Sequence, residues 1–439
     1  MDNNTPIFTI MKRFASVSGA VGGLAARVIS ERVTGYAIND AEYAKTLKAT
    51  LGSMKGLFMK VAQFLATIPD AIPPEYAKEL LELQSNATPM GPLFVKRRMQ
   101  AELGAQWQTH FSSFDMAPAA AASLGQVHKA TINHKGTSLD LAIKLQYPSM
   151  QTIVEADLAQ LKLLFGTYHL FNKALDLNDV LGEIKARLTE ELDYINEARN
   201  TRDYQAFFAN GSDAVKIPDI IPSLSTDRLL AMTWMEGESL LIATETLTQE
   251  QRNTLGRTLF RAWYRPFYLK GWIHGDPHPG NYKVDSNQNL LLLDFGCVRR
   301  FDATFVDGVI ELYEALKHQS RDRAVAAYEC WGFSNLSNEL IDVMNEWARL
   351  LYDPLLDNRV RPIQMNFSGA KGWETALRVH QKLHQLGGLR VPQEFVFMDR
   401  ASVGIGAVLM RLKCEMNWHQ LFEEIIEEKK VIQMSSEYK

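Results

Sequence analysis

The 439-residue chain has few cysteines, no long apolar run and no strong excess of charge of either sign. An odd number of widely separated cysteines argues against a disulfide framework and a cysteine-based zinc site, and it favours a reducing compartment. These residues are Cys297, Cys330 and Cys414. No segment offers the ~18 uninterrupted apolar residues of a transmembrane helix. We find no internal repeat and no low-complexity stretch.

The formal net charge of −4 gives no sign of a nucleic-acid-binding surface, so nucleic acid is excluded as a partner. The first residues are poor in acids up to Glu31, but they contain no long apolar core of the secretory type. We therefore expect a cytoplasmic protein without a membrane span. An amphipathic helix within residues 1–40 would make it peripheral to a membrane, and the acid-poor start leaves the mitochondrial matrix as a minor alternative.

Helical periodicity dominates the first part of the chain. Apolar residues recur at helical spacing over about 40–65, which predicts one long helix. Lys60 and Gln63 lie three positions apart and therefore share a face of it, a pattern that by itself indicates a solvated surface. A further short helix is expected at 92–103, and residues 1–90 are interpreted as a helical N-terminal extension.

Glycine is scarce in a loop where nucleotide-binding proteins often use it. The small-residue run Ala120, Ala121, Ala122 and Ser123 leads into an alternating strand, where a kinase has its Gly-rich phosphate cover. Alanine lets a backbone approach phosphates but does not reach the positive φ values open to glycine, so a stiffer loop is expected. Taken alone, the run also fits an alanine-rich helix start.

A single lysine interrupts the apolar strand 141–145. Buried Lys144 needs a partner, and the pattern resembles the kinase strand whose lysine binds the α- and β-phosphates of ATP and a glutamate on a helix. The following residues, 149–210, are expected to be helical and contain several acids. Periodicity does not choose among Glu155, Glu183 and Glu197 as the partner.

Two short motifs lie at a fixed distance within residues 271–296. His274-Gly275-Asp276 is followed at five positions by Asn281, the kinase catalytic-loop spacing, and Asp294 begins the tripeptide Asp-Phe-Gly. A predicted hairpin, with strands 282–284 and 290–293, would bring Asn281 and Asp294 to one end, where both would bind Mg²⁺. Asp276 would act beside the hydroxyl that accepts the phosphate.

The remaining pattern predicts an α+β protein of two lobes. The strand 228–237 ends in an acidic, Gly-containing bend that fits a hinge, with Met235 placed to meet an adenine edge through its backbone. A helix at 249–270 leads into the catalytic loop, and helices follow near 303–317, 321–330, 337–352, 373–386 and 394–428. We predict a kinase-like N-lobe with an antiparallel sheet over 91–236 and a mostly helical C-lobe over 237–439.

At this point the sequence resembles the UbiB/ADCK family of atypical kinases. Four segments carry the resemblance: AAAASLGQVHKA, LAIKLQYP, EELDYINEARN, and HGDPHPGN with DFG. The resemblance implies that Glu197 pairs with Lys144. It also aligns Glu191 and Asp193 with the family's ExD element, and Lys60 and Gln63 with its KxGQ element, whose helix folds over the protein-substrate side. Here Ala62 replaces the glycine of KxGQ. We therefore expect the helix to persist, but not the close backbone approach that a glycine allows at that position.

The resemblance implies an ATP- and Mg²⁺-dependent kinase or ATPase that supports isoprenoid quinone (ubiquinone) biosynthesis or related lipid metabolism. The implied partners are nucleotide, lipid or quinone intermediates, a membrane surface and quinone-biosynthesis proteins, and a homodimer is compatible with them. The HGDxHPGN pattern also resembles small-molecule phosphotransferases of the aminoglycoside- and choline-kinase type. A non-catalytic, nucleotide-dependent scaffold is the third reading.

Overall fold

A computed structural model describes residues 89–437, apart from 122–123, 149, most of 151–187, 210, 212, 335 and most of 364–392. These residues form two compact units. The first contains the described residues up to Ala198 together with Ile220–Trp234, and the second contains Arg199–Asp219 and the residues from Met235 onward. The expected helix with Lys60 and Gln63, and loop residues Ala122 and Ser123, lie outside the described residues.

Strands and helices are both well represented, as the α+β prediction requires. The strands are β1 Ser113–Phe114, β2 Ala120–Ala121, β3 Gly125–His134, β4 Thr137–Gln146, β5 Val215–Lys216, β6 Leu229–Thr233, β7 Glu238–Ser239, β8 Trp272–His274, β9 Tyr282–Val284, β10 Leu290–Leu292, β11 Val298–Arg300, β12 Val360–Pro362 and β13 Glu415–Asn417. The helices are α1 Pro92–Leu103, α2 Tyr194–Phe208, α3 Leu240–Thr246, α4 Gln249–Lys270, α5 Ala303–His318, α6 Arg321–Cys330, α7 Asn338–Leu356, α8 Gln393–Arg411 and α9 Trp418–Glu437.

The first unit is built on an antiparallel sheet with the order β1-β3-β4-β6, and β2 also pairs with β3. The β3–β4 hairpin turns at Lys135 and Gly136, which both have positive φ, 51° and 84°. A two-residue hairpin turn of type I′ needs this conformation. Residues along β3 and β4 alternate between buried and partly exposed, because successive side chains point to opposite faces of a strand. The alternating strand predicted after the alanine-rich run is confirmed as β3, and the strand predicted at 141–145 is confirmed within β4.

One face of this sheet packs against α1, as the burial of its apolar residues shows. The cluster consists of Val95, Met99, Trp107, Ala130, Ile132, Leu141, Ile143, Leu145, Leu224, Leu229 and Ala231. Arg98 of α1 is only 8% exposed, and its guanidinium donates to the backbone oxygens of Gln146 and Tyr147 at the end of β4. The predicted helix 92–103 is confirmed, and a buried charge-assisted contact attaches it to the sheet.

The second unit is organised around α4, a 22-residue helix with defined ends. Thr248 and Gln251 form a capping box at its start. Gly271 ends it in the left-handed conformation, φ 72°, where a Cβ atom would lie 2.2 Å from the Phe301 carbonyl oxygen. Glycine is therefore needed there for two reasons, conformation and space. The predicted helix 249–270 is confirmed.

The second unit also contains a sheet with the order β5-β10-β9-β7 and a short β8–β11 ladder. β9 and β10 pair antiparallel with Leu292 opposite Tyr282, so the predicted hairpin is confirmed. Helices α4–α9 share one large apolar core with these strands. Within the described part of the chain, no helix combines the length and apolar character that crossing a bilayer requires.

The predicted helix 394–428 is wrong as a single element. Helix α8 ends at Arg411, and Lys413 adopts a positive φ of 52°, which a continuing helix does not allow. Residues Glu415–Asn417 then form β13, which pairs with β12, before α9 begins at Trp418. The helices predicted at 303–317, 321–330 and 337–352 are confirmed, whereas 373–386 lies almost wholly outside the described residues.

Candidate active site

The first unit brings Lys144 and Glu197 together in a buried ion pair. Lys144 lies on β4, on the opposite face of the strand from the buried Ile143 and Leu145. Its Nζ donates to both carboxylate oxygens of Glu197 on α2, at 2.7 and 2.9 Å. The two side chains are 11% and 2% exposed. Desolvation makes such a pair costly unless its geometry is good, and here both carboxylate oxygens are used.

The start of α2 fixes the position of this glutamate. The Asp193 carboxylate accepts a hydrogen bond from the Asn196 N–H at 2.9 Å, and the Asp193 carbonyl accepts from the Glu197 N–H at 3.0 Å. Asp193 therefore acts as the N-cap of the helix that carries Glu197. Tyr194 adds a cation–π contact, because Lys144 Nζ lies 5.2 Å from the centre of its ring.

Of the acids that periodicity left open, Glu197 is the one in contact with Lys144, and Glu183 lies outside the described residues. Residues 149–210 are not one continuous helix, because a turn at Leu192 and Asp193 separates α2 from the helical residues before it. The acidic residue Asp193 causes this break, since its side chain competes for the backbone N–H groups of the next turn. The predicted single helical run is therefore wrong at this point.

The alanine-rich loop begins as a strand. Ala120 and Ala121 form β2 and pair with Val127 and Gln126 of β3. The alternative of an alanine-rich helix start is therefore wrong for these two residues. Gly125, where β3 begins, has no room for a side chain, because a Cβ atom there would lie 2.5 Å from the Leu145 carbonyl oxygen. The strand after the loop therefore lies directly against the end of β4.

In the second unit, α4 delivers the His274-Gly275-Asp276 motif through β8. The ladder β8–β11 pairs His274 with Val298, and the Gly275 N–H donates to the Cys297 carbonyl at 2.7 Å. These bonds place the catalytic-loop motif beside the residues that follow Asp-Phe-Gly. A side chain at position 275 would lie 2.6 Å from Cys297 Sγ, so close approach of the two segments requires glycine here.

Asn281 contacts Asp276 within the loop that follows His274 and lies close in the hairpin to the residue before Asp294. The Asn281 side-chain amide donates to the Asp276 backbone oxygen at 3.0 Å and to Asp276 Oδ2 at 3.1 Å. The Leu293 N–H donates to the Asn281 carbonyl at 3.1 Å, so the β9–β10 hairpin brings Asn281 next to the residue before Asp294. Asp276 itself is exposed to solvent.

Two buried side chains hold the backbone of Asp294 and Phe295. His274 Nε2 donates to the Asp294 carbonyl, and the His274 ring lies edge-on to the ring of Phe295. Asn200, on α2, donates from its side chain to the Phe295 carbonyl at 3.1 Å and accepts from Arg300 at 3.1 Å. Asp203 completes this set by binding the same guanidinium at 2.6 Å.

Sequence reasoning missed Asn200 and Arg300. Asn200 is the last residue of the segment EELDYINEARN, so its place in that block was the available signal. Its role depends on contacts with Phe295 and Arg300, which lie 95 and 100 residues away in the chain. No local pattern reports such a contact.

The donor atoms of this unit fit Mg²⁺. The Asn281 amide nitrogen donates to Asp276, so its Oδ1 is the atom that would meet a cation, and Asp294 Oδ1 accepts from the Gly296 N–H at 2.9 Å. An amide oxygen and a carboxylate are hard ligands of the type Mg²⁺ prefers, with phosphates and water completing its shell. In the first unit, the Lys144 ammonium is a positive charge of the kind that would pair with phosphates.

The roles assigned to Met235, Glu191 and Asp193 stay predictions. Of the strand predicted over 228–237, only Leu229–Thr233 forms a strand, β6, and residues 234–237 lie outside it. Met235 is the first residue of the second unit, and its contact with adenine stays a prediction. Glu191 lies at the end of the helical residues before Asp193. The expected contacts of Glu191 and Asp193 with Lys60 and Gln63 involve residues outside the described ones.

Comparison with known proteins supplies the family. A sequence model of the ABC1 atypical kinase-like domain matches residues 82–328. Protein ACTIVITY OF BC1 COMPLEX KINASE 3, chloroplastic, from Arabidopsis thaliana is 33% identical over 299 residues, which cover 66% of this chain and 41% of the relative. Atypical kinase COQ8, mitochondrial, from Saccharomyces cerevisiae is 29% identical over 303 residues, which cover 67% and 59%. The chain thus matches about half the length of these relatives.

A solved structure extends the likeness over most of the chain. The complex of Rv3197 with erythromycin from Mycobacterium tuberculosis has a TM-score of 0.59 and 26% identity, and the match covers 92% of this chain and 98% of that one. The family match and this likeness confirm the predicted kinase-like fold. The chain therefore belongs to the ABC1 atypical kinase-like family, which confirms the UbiB/ADCK resemblance of its motifs.

Proposed function

We propose that this protein is an ATP- and Mg²⁺-dependent atypical kinase or ATPase. The observation that carries the proposal is the Lys144–Glu197 ion pair, with two hydrogen bonds of 2.7 and 2.9 Å in a buried setting. Kinases need this strand-to-helix pair in place before the lysine can bind the α- and β-phosphates. A lysine without that task would not need its charge fixed so closely within an apolar strand.

The side chains of the second unit have complementary tasks in this proposal. Bound Mg²⁺ would neutralise charge on the phosphates, and Asn281 and Asp294 would hold it. Asp276, exposed and fixed by Asn281, would accept a proton from the attacking hydroxyl or water. His274 and Asn200 bind the backbone carbonyls of Asp294 and Phe295. These bonds would hold the Asp294 carboxylate in the orientation that Mg²⁺ binding needs.

Nucleotide contacts of the first unit complete the assignment. The backbone of Ala120, Ala121, Ala122 and Ser123 would cover the phosphates, and the backbone of Met235 would meet the adenine edge. Strand pairing of Ala120 and Ala121 with β3 supports a stiff loop. Stiffness favours one phosphate geometry over several, because little conformational entropy is lost when the nucleotide binds.

The acceptor side is proposed to be closed by the N-terminal helix. Lys60 and Gln63 would contact Glu191 and Asp193 there and exclude a protein substrate. One carboxylate oxygen of Asp193 already accepts a hydrogen bond as the cap of α2. A contact between Asp193 and Lys60 would therefore connect the N-terminal helix to the helix that carries Glu197. Such an enzyme hydrolyses ATP or phosphorylates a small molecule.

We further propose that the activity supports isoprenoid quinone biosynthesis or related lipid metabolism. The family resemblance and the similarity to atypical kinase COQ8 support this part. Its implied partners are lipid or quinone intermediates, a membrane surface and quinone-biosynthesis proteins.

The test is ADP release by the purified protein with Mg²⁺, measured with and without liposomes and a phenolic quinone-precursor mimic. We expect activity that rises with lipid or phenol and is lost in Asp294→Asn. Saturable stimulation by hydroxylated antibiotics or choline, without any by phenol, would instead support a small-molecule phosphotransferase. Silence under all conditions, with MgATP still bound, would support a scaffold.

A further inference from the structure

The first unit contains a second buried polar network, outside the Lys144–Glu197 pair. Gln126 and His128 lie on β3 two positions apart, so they share one face of the strand, and both are 0% exposed. They belong to the segment GQVH that follows the alanine-rich loop. Fully buried polar side chains are costly unless all their hydrogen bonds are made.

Every polar atom of the Gln126 side chain is used. Its Oε1 accepts from the Met90 N–H at 2.8 Å. Its Nε2 donates to the Met90 carbonyl at 3.3 Å and lies 2.9 Å from His128 Nε2. One side-chain amide therefore pairs with both main-chain groups of the residue two positions before α1, as a neighbouring strand would.

The partners of His128 determine its tautomer. His128 Nδ1 lies 2.8 Å from the Asp115 backbone oxygen, which only accepts, so Nδ1 carries the proton. Nε2 of the neutral ring then accepts from Gln126, which matches the amide orientation required by Met90. The ring of Phe114 stacks on the imidazole at 5.3 Å and shields it from water.

His128 lies opposite an interruption of the sheet. The Asp115 N–H donates to the Lys129 carbonyl and the Ala119 N–H donates to the Val127 carbonyl. The five residues 115–119 therefore lie opposite only three residues of β3, 127–129. The bulged segment contains Pro118, which has no N–H to give. The imidazole supplies to the Asp115 carbonyl the donor that the interrupted ladder lacks.

We propose that Gln126 and His128 are positioning residues that fix the alanine-rich loop for nucleotide phosphates. Asp115 lies directly before the bulge that leads into β2, and Gln126 itself pairs with Ala121, so the network holds the loop at its entry and at its exit. Met90 extends the same network to the chain that enters α1. The phosphate part of this inference rests on the proposed nucleotide function.

The variants separate the two halves of the network. Gln126→Met keeps the side-chain volume and removes the bonds to Met90 and His128. His128→Asn keeps an amide near the Nδ1 position, so it can still bind Asp115 but loses the contact with Gln126. His128→Gln keeps an amide near the Nε2 position, so it can still bind Gln126 but loses the contact with Asp115. Thr131→Val is the matched control, because Thr131 lies on the same strand and its hydroxyl binds only Asp140 among the described residues, in an exposed position.

Two readouts are measured on each full-length variant, namely amide hydrogen exchange over residues 115–125 and the dissociation constants of MgATP and adenosine. We expect Gln126→Met and both His128 variants to exchange faster over 115–125. We also expect their MgATP affinity to fall about five- to tenfold, as loss of one buried hydrogen bond predicts, with adenosine affinity unchanged. A purely structural role would weaken both ligands alike.

The outcomes distinguish this inference from the function it rests on. Unchanged amide exchange over 115–125 in Gln126→Met, His128→Asn and His128→Gln overturns the positioning role. A wild-type protein that binds MgATP with the same affinity as all three variants overturns it as well. A wild-type protein that binds no nucleotide overturns the proposed function and, with it, the phosphate part of the inference, even if the variants exchange faster.

Discussion

Lys144 is the residue whose replacement has two separable consequences. In Lys144→Met the Glu197 carboxylate, 2% exposed, loses its ammonium partner. Removing one member of a buried pair is strongly destabilising, and we expect a loss of about 3 kcal/mol in unfolding free energy. We also expect loss of the thermal stabilisation by MgATP, because the phosphates lose a positive charge. Denaturant and thermal unfolding with and without nucleotide measure both.

A matched double variant separates charge burial from nucleotide binding. Lys144→Met combined with Glu197→Gln removes both charges at nearly constant volume, so its stability is expected to recover towards wild type while the nucleotide response stays absent. Double variants isolate the pair because each single change leaves the other charge behind. A single variant as stable as wild type, or one that still responds to MgATP, contradicts the assignment.

His128 makes a pH-dependent contribution whose sign follows from its burial. Desolvation lowers the pKa of His128 below its ordinary value of 6.5, although the backbone of Asp115 and its carboxylate act to raise it. The unfolded chain therefore takes up a proton near pH 6.5, and the folded one only at lower pH. The stabilising contribution is full above 6.5 and is lost as the pH falls below it.

We therefore expect His128→Asn to flatten the loss of stability below pH 6.5, because asparagine does not titrate. Urea unfolding midpoints at a series of pH values measure this, with Thr131→Val as the control that keeps the wild-type slope. Parallel pH profiles for wild type and His128→Asn would count against a neutral buried imidazole.

Motif spacing predicted some residues of the candidate site and not others, for a physical reason. Asp276 and Asn281 share one short loop, and a local hairpin carries the chain on to Asp294, so their proximity follows from nearby sequence. Glu197 lies 53 residues from Lys144. Helical periodicity does not distinguish among the acids that lie on a suitable helix face. The contacts of Asn200 could not be predicted locally, since its partners Phe295 and Arg300 come from a distant segment.

The β9–β10 hairpin is the element that connects Asn281 to Asp294, and Asp285 holds its turn. The Asp285 carboxylate accepts from the backbone N–H groups of Asn287 and Asn289 at 2.9 and 2.8 Å, and from Lys216 at 2.7 Å. Desolvation opposes ionisation, but hydrogen bonds from Asn289 and Lys216 outweigh it and lower the pKa of Asp285 to about 2.

We expect Asp285→Ala to cost about 2 kcal/mol, the range for hydrogen bonds to a charged group. A looser hairpin should also raise the Mg²⁺ concentration needed for half-maximal ADP release, since Asn281 and Asp294 lie at its other end. Because the folded pKa is lowered, the contribution of Asp285 is full above 3.8 and is lost as the pH falls through about 2. Ser286→Ala, in the same turn and exposed, is the control.

The long helices show how far local sequence determines an element. Helix α4 was predictable because a capping box and a terminal glycine mark its ends within its own sequence. The break between α8 and α9 was not predictable, since Lys413 takes a positive φ and β13 exists by pairing with residues 360–362. Gln249 also binds the Lys413 carbonyl, at 2.9 Å from 164 positions away. Distant partners overrode the helical periodicity there.

For the whole molecule, α+β class and kinase-like fold followed from the sequence because many local signals agreed. Each of the two units has its own buried apolar clusters, so each set of functional groups lies on a packed support of its own. Lys144 and Glu197 belong to the first, and Asp276, Asn281 and Asp294 to the second. The proposed reaction requires both sets of side chains. Because nucleotide binds only the folded chain, the increase in unfolding free energy that it causes reports on the contributions of both sets.

Ligand linkage turns this requirement into a measurement on the intact protein. MgATP at about 100 times its dissociation constant should add ~2.7 kcal/mol to the unfolding free energy. ATP with a chelator should add less, because Asn281 and Asp294 contribute only through the metal. In Asp294→Asn the difference between ATP with and without Mg²⁺ should vanish while binding through Lys144 persists. Equal stabilisation of wild type by ATP with and without Mg²⁺ would remove the metal from the assignment.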